Sequence, residues 1–216
     1  MRSRISFLAT AAGLCVATTP VFSQVGPKRV PVPPMEFGIQ GGVNIFTFGG
    51  ADASGAKSRT SFFAGASLNL PLSSSVFVQP EALYSGEGGS FDSAGTTVEI
   101  KIAYLQIPVL LGVNLTPAAR TGFRVYAGPA VGLKLSCDVS ITSTGVSVSG
   151  ACASGSVKST DFGVTGGAGL TFHGPRFNVN VDARYTLGLA KVVESADVKN
   201  RGFSIGAGLS FPLGRK

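Results

Sequence analysis

Residues 176–190, RFNVNVDARYTLGLA, alternate without interruption. Phe177, Val179, Val181, Ala183, Tyr185, Leu187 and Leu189 fall on one side, and Asn178, Asn180, Asp182, Arg184, Thr186 and Gly188 on the other. Successive side chains of a strand point to opposite faces, so the stretch encodes one apolar and one polar face over about thirteen residues. A strand in a soluble protein is typically about five or six residues long. One that crosses a bilayer needs about nine to eleven, tilted, with its apolar side toward lipid. The length and the alternation together point to a membrane-crossing strand.

The composition agrees. Hydrophobic residues make up 44% of the 216-residue chain and charged residues 13%, about half the charge content of ordinary soluble domains. Glycine is abundant, with 30 residues, and no apolar run is long enough for a spanning helix outside the N-terminal segment. That segment reads as an export signal over residues 1–23: Arg2 and Arg4, an apolar core from Ile5 to Val16, then Val21-Phe22-Ser23 before a cut near Gln24. Cys15 does not make it a lipoprotein signal, because Leu14 stands where a small residue is required. Cleavage lowers the formal charge from +7 to +5 and leaves two cysteines, Cys137 and Cys152. In an exported chain such a pair is expected to form a disulfide. The polar segment between them is expected to be a loop. Residues 24–35, rich in proline, are expected to form an extended periplasmic lead-in.

Eight alternating runs follow, at about 36–47, 59–70, 76–86, 97–115, 123–136, 160–172, 176–190 and 201–213. The fourth is irregular. Glu99 and Lys101 set a polar phase that Gln106 contradicts, so a bulge between Ala103 and Pro108 is expected to flip its faces. Short connections at 71–75, 116–122 and 173–175 alternate with longer polar ones at 48–58, 87–96, 137–159 and 191–200. An even number of strands with this rhythm describes an all-β, closed, eight-stranded antiparallel up-and-down transmembrane barrel. Both termini and the short turns then face the periplasm, and the long loops face outside.

Closure is required, because lipid offers no partner for an open sheet edge. Eight strands leave a lumen just wide enough for side chains. Its predicted lining is glycine, hydroxyl and amide residues with four charges near mid-strand: Glu81, Arg124, Asp182 and Arg184. Isolated charges there would be costly, so the two acids are expected to pair with the two arginines and fill the lumen. A soluble ligand barrel with the apolar face inward is the rival. It would present a glycine-rich, nearly uncharged face to water, which makes a poor soluble surface.

The segments EFGIQGGVN, VFVQPEALYSGEGG, IAYLQIPVLLGVN, YAGPAVGL, DFGVTGGAGL and DARYTLGL occur in that order. Together they resemble the porin-like outer-membrane β-barrel family, the small adhesin-type barrels of Gram-negative envelopes. Pro80 to Tyr84 and Tyr104 to Pro108 are the most specific pieces, and the resemblance spans 36–213. It implies an outer-membrane barrel with no shared enzymatic activity. One departure concerns the C-terminus, where Phe211 is followed by PLGRK instead of closing the chain.

The single histidine, His173, falls in a predicted turn with no serine partner. The glycine clusters at 166–169 and 206–208 lie on strands and form no phosphate loop. No catalytic, cofactor or metal site is expected. The basic residues are scattered, which excludes nucleic acid as a partner. Lys57, Arg59, Lys191, Lys199 and Arg201 fall near the outer rim, within reach of lipopolysaccharide phosphates. The expected partners are therefore membrane lipid, lipopolysaccharide and a host or cell-surface molecule met by the loops, with the barrel a monomer. Two alternatives stand beside this non-catalytic anchor: a small passive channel, and a lipid-modifying enzyme that depends on His173.

Overall fold

A computed structural model describes residues 31–117, 119–193 and 196–214. The expected signal segment lies outside them, as do residues 24–30 of the expected lead-in, whose remainder, 31–35, is exposed and without regular structure. The strands are β1 (Glu36–Gly49), β2 (Lys57–Pro71), β3 (Val76–Ser93), β4 (Thr96–Asn114), β5 (Thr121–Ser143), β6 (Val146–Ala151), β7 (Thr160–His173), β8 (Asn178–Gly188) and β9 (Lys199–Pro212). Eight of them form a ring: β1 to β5 pair in sequence, β5 pairs with β7, β7 with β8, β8 with β9, and β9 returns to β1. Every pairing is antiparallel. Strand β6 pairs with β5 alone and stands outside the ring.

The alternation settles which face is which. Along β8, Asn178, Asn180, Asp182, Arg184 and Thr186 are buried, while Val181, Tyr185 and Leu187 are exposed. The same holds around the ring: Phe62, Val109, Leu111, Val125, Phe162, Val164, Phe203 and Ile205 face outward and exposed. A sheet that hides its polar residues inside and presents a band of aliphatic and aromatic side chains outside is built for lipid. Pairs such as Tyr185 and Phe203, with ring centroids 4.7 Å apart, cover the outer surface.

Two stretches depart from the expected layout. The segment 87–96 is not a loop, for β3 continues to Ser93 and β4 begins at Thr96. Likewise 137–159 is mostly a hairpin: β5 runs to Ser143, turns, and returns as β6. Both hairpins close on two residues of positive φ, Ala94-Gly95 (46° and 80°) and Thr144-Gly145 (48° and 86°). These match the two-residue turns whose twist suits a β-ribbon. In both segments the outward phase is polar, as at Ser90, Asp92, Asp138 and Thr142, which hid them from a search for lipid-facing strands. The Cys137–Cys152 disulfide joins the base of the second hairpin.

The irregularity expected in β4 has a different cause. The register breaks between Ala103 and Tyr104, where Ala103 faces Ser136 and Tyr104 faces Lys134. The extra residue is Leu135 of β5, and β4 itself keeps one phase, burying Ile102, Tyr104, Pro108 and Leu110. Glu99 and Lys101 therefore share the outer phase with lipid-facing Ile107 and Val109. They tolerate it because at their level the outer face meets water and each other, at 3.3 Å.

Candidate functional site

The barrel interior is the only place where polar groups converge deeply among the described residues, and it divides into two halves. The half nearest the short turns is ionic. Arg124 on β5 donates to both oxygens of Asp182 on β8, at 2.9 and 2.8 Å, and Tyr126 adds a third donor at 3.1 Å. Arg184 on β8 reaches across to Glu81 on β3 at 2.7 Å. Gln79 connects the pairs, donating to Glu81 at 2.7 Å and accepting from Arg124 at 3.4 Å. The Arg184 guanidinium also lies 5.7 Å from the ring centres of Phe63 and Tyr126. All four charges expected in the lumen thus lie together, each buried and each paired across the barrel.

These contacts follow from the alternation: one inward residue on every second position of facing strands, with arginine long enough to reach across the narrow lumen of an eight-stranded barrel. The aromatic fillers need glycine opposite. A Cβ at Gly112 would lie 2.1 Å from the Phe77 ring, so the ring occupies the space a side chain would take. What space remains is small. Voids of about 50 and 20 Å³ lie near the turn-side mouth, around Glu36, Asn69 and Arg124. Deeper ones beside Arg184 and beside Glu87 are about 10 Å³ each. A void must reach roughly 10–15 Å³ to hold a single water.

The half nearest the loops is closed by an apolar plug. Ala53 of loop 50–56, Val157 of loop 152–159 and Val192, shortly after β8, fold over the mouth onto Phe48, Ile102 and Tyr104. Phe91, Ile100 and Cys137, from the extended parts of β3, β4 and β5, pack against the same cluster. The loops are fastened to one another: the Ala51 amide donates to Asp197 at 3.2 Å and the Asp197 amide to Asp52 at 2.7 Å. The Ala51 amide holds the Asp197 carboxyl below its ordinary range. Beneath the plug lies a second polar cluster, Glu87, Gln106, Asp161 and Asn200, which the sequence reading missed. Glu87 falls in segment 87–96, expected to be a loop, and Asp161 stands at the edge of the sixth run, apart from the four mid-strand charges.

Three of the five rim cations are engaged. Lys57 pairs with Asp92, whose carboxyl is held below its ordinary range by that lysine. Arg59 pairs with Glu99 at 2.9 Å and Lys199 with Asp197 at 3.5 Å. His173 ends β7, with its Nδ1 3.3 Å from the Arg120 carbonyl oxygen.

A closed ring of eight antiparallel strands, apolar outside and ionic within, defines a transmembrane β-barrel. The profile of the outer membrane protein beta-barrel domain matches residues 22–194, and the chain belongs to that family of the bacterial outer membrane. Its fold is similar to Neisserial surface protein A, at 13% identity over 82% of this chain and 97% of that one, with a TM-score of 0.49. It is also similar to Ail, the attachment invasion locus protein of Yersinia pestis, at 17% identity, 83% and 99% coverage and a TM-score of 0.43. OprG from Pseudomonas aeruginosa aligns at 13% identity, 84% and 98% coverage and a TM-score of 0.46. No curated protein matches the sequence.

Proposed function

We propose that the chain is a non-catalytic outer-membrane anchor whose loop-side structures meet a partner outside the cell. The observation that carries this is the interior. A cross-barrel ion-pair network fills one half and an apolar plug seals the other, leaving voids of about 10 to 50 Å³. Such a barrel has little room for a solute. What it does offer is the β5–β6 hairpin, stapled by Cys137–Cys152, standing beyond the ring with Val146 and Val148 about two-thirds exposed. Loops held on a rigid scaffold are where binding concentrates.

In this reading residues 1–23 are a removed signal, 24–35 a periplasmic lead-in and 36–213 the barrel. The termini and short turns are periplasmic, the plug and hairpin extracellular, and the protein a monomer. The ion pairs Arg124–Asp182 and Arg184–Glu81 serve the fold. Three of the five rim cations, Lys57, Arg59 and Lys199, are paired, and all five sit where lipopolysaccharide phosphates would compete for them.

The channel reading makes the opposite prediction in a planar bilayer. Purified, heat-modifiable protein is expected to give no stable conductance steps. Ion-selective steps that vanish on Arg184→Ala would overturn the anchor reading in favour of a channel. Replacing residues 144–151 with a short turn is expected to abolish whole-cell binding to whatever surface the intact protein engages. Unchanged binding would remove the hairpin from the proposal. His173→Ala is expected to leave lipid composition unchanged.

A further inference from the structure

We propose that the free edge of β6 takes up an extended, uncharged segment of a partner protein as one more strand. Such docking rests on the hairpin being the element that meets a partner, and gives that contact its form. Above the ring, β3, β4, β5 and β6 make one continuous sheet, in which Phe91, Val98, Ile141 and Val148 stand in a cross-strand row. Among the described residues β6 pairs with β5 alone, so row and ladder both stop there.

The register fixes which main-chain groups are free. The Cys152 amide donates to the Cys137 carbonyl at 2.9 Å. Directly opposed residues of an antiparallel pair alternate between bonded and non-bonded. Val139–Gly150, Ile141–Val148 and Ser143–Val146 are therefore the bonded pairs, and the main chains of Ser147, Ser149 and Ala151 point away from β5. Their amides and carbonyls repeat at the spacing of a strand, which selects polypeptide as the occupant.

The side chains set the chemistry of that polypeptide. On one face Val146 and Val148 are 66% and 67% exposed beside Ile141. On the other, the Ser147 and Ser149 hydroxyls lie 2.8 Å from those of Thr142 and Ser140. An incoming strand of alternating apolar and small polar residues continues both faces. The sequence of β6, VSVSGA, holds no charge and no proline, two of the devices that keep an exposed edge from pairing. The opposite edge of the same sheet is guarded, for beyond Ser90, where β2 begins its pairing with β3, Asp92 is paired with Lys57. The Cys137–Cys152 disulfide fixes the base of the hairpin, so the edge is ordered before anything binds.

A second copy does not suit this edge. Two barrels in one membrane point the same way, so a symmetric pair would set β6 parallel to its equivalent. An edge matches itself about a twofold only when the strands run antiparallel, with bonded residues directly opposed.

The experiment uses the full-length mature protein with its disulfide intact, refolded in phospholipid vesicles. The probes are a fluorescein-labelled synthetic peptide, Thr-Val-Thr-Val-Thr-Val, and its fully N-methylated form. The unmodified peptide is expected to bind and to raise exchange protection at the Ser147, Ser149 and Ala151 amides, leaving Val148, already bonded to β5, unchanged. The N-methylated peptide is expected not to bind. Ser147→Pro with Ser149→Pro removes two outward donors and none of the β5 ladder, and is expected to weaken peptide binding about tenfold. Protection retained at Val148 confirms that the hairpin of this variant is intact. No binding, binding that ignores the proline pair, or binding kept by the N-methylated peptide overturns the edge. The hairpin reading then still stands if replacing residues 144–151 abolishes whole-cell binding. Ser149 protection that rises with protein concentration in the absence of peptide assigns the edge to a second copy and overturns the proposal too.

Discussion

The two halves of the interior are made by the same strands under opposite rules. Toward the short turns the sheet is apolar outside and ionic inside, with Arg124–Asp182 and Arg184–Glu81 spanning the lumen. Toward the loops the sense inverts: Phe91, Ile100 and Cys137 turn inward onto a plug, while Asp92, Glu99 and Lys101 stand on the outer side. One chain changes sign because its surroundings do. Within the bilayer, water-like groups can be satisfied only across the lumen. Above it, water takes the outer face and the hydrophobic effect drives apolar side chains to the centre. The lesson is that alternation marks a strand, but which phase is apolar reports what the outer face touches.

That difference can be broken in order of expected effect. Arg184→Ala leaves Glu81 buried and unpaired, and breaking a buried pair from one side costs about 3–5 kcal/mol. Urea unfolding in phospholipid vesicles should register this as a large fall in midpoint. The double change Arg184→Met with Glu81→Leu should recover most of it, since apolar replacement of a buried pair is often neutral. Recovery failing would mean that the pair supports the wider network through Gln79.

The plug obeys the rules of a soluble core. Phe48→Ala, deleting a ring that is 3% exposed, should cost about 3–5 kcal/mol of local stability. The loss should appear as faster amide exchange in loop 50–56 and at Val192 and Val198, with the turn-side ladder unmoved. Reducing Cys137–Cys152, or replacing both with serine, releases a 15-residue separation. On the chain-entropy scale this removes about 3 kcal/mol, confined to the β5–β6 hairpin. Protease sensitivity near Thr144 should rise while the barrel's heat-modifiable mobility stays the same.

The smallest effect is a pH response at the loop latch. The Asp197 carboxyl titrates below its unfolded value because the Ala51 amide stabilises its charged form. A lowered pKa contributes stability above the unfolded value of about 3.9, lost as pH falls through the folded one. The protection factor of the Ala51 amide, its exchange rate corrected for the intrinsic pH dependence, should therefore be flat near neutral pH and fall only below about pH 4. Asp197→Asn should remove the pH dependence without moving the barrel.

Much of this was legible in the residues. The β8 stretch, the strand count in the ring and the position of Glu81, Arg124, Asp182 and Arg184 follow from a period of two and a narrow lumen. What escaped was everything above the bilayer. Segments 87–96 and 137–159 read as loops because their outward residues are polar, and a lipid-facing template has no place for Asp92 or Asp138 on the outside. Gly95 and Gly145 were the available signal, since a glycine between two polar-outward runs suits the positive φ that a two-residue hairpin turn requires. The plug was beyond reach, because Ala53, Val157 and Val192 carry no local periodicity and meet only when the ring closes. The Glu87–Asp161 cluster was lost with it.

The central claim is the change of sign along one strand, and β5 tests it most directly. In a cysteine-free background, single nitroxide labels would be placed at Val125, Ala127, Val131 and Leu133, then at Ser136, Asp138 and Thr142, and collision rates measured in vesicles. Labels up to Leu133 should be accessible to oxygen and shielded from a water-soluble nickel chelate, with the preference reversing from Ser136 onward. A strand whose outer positions all prefer the chelate, or all prefer oxygen through Thr142, would contradict the account.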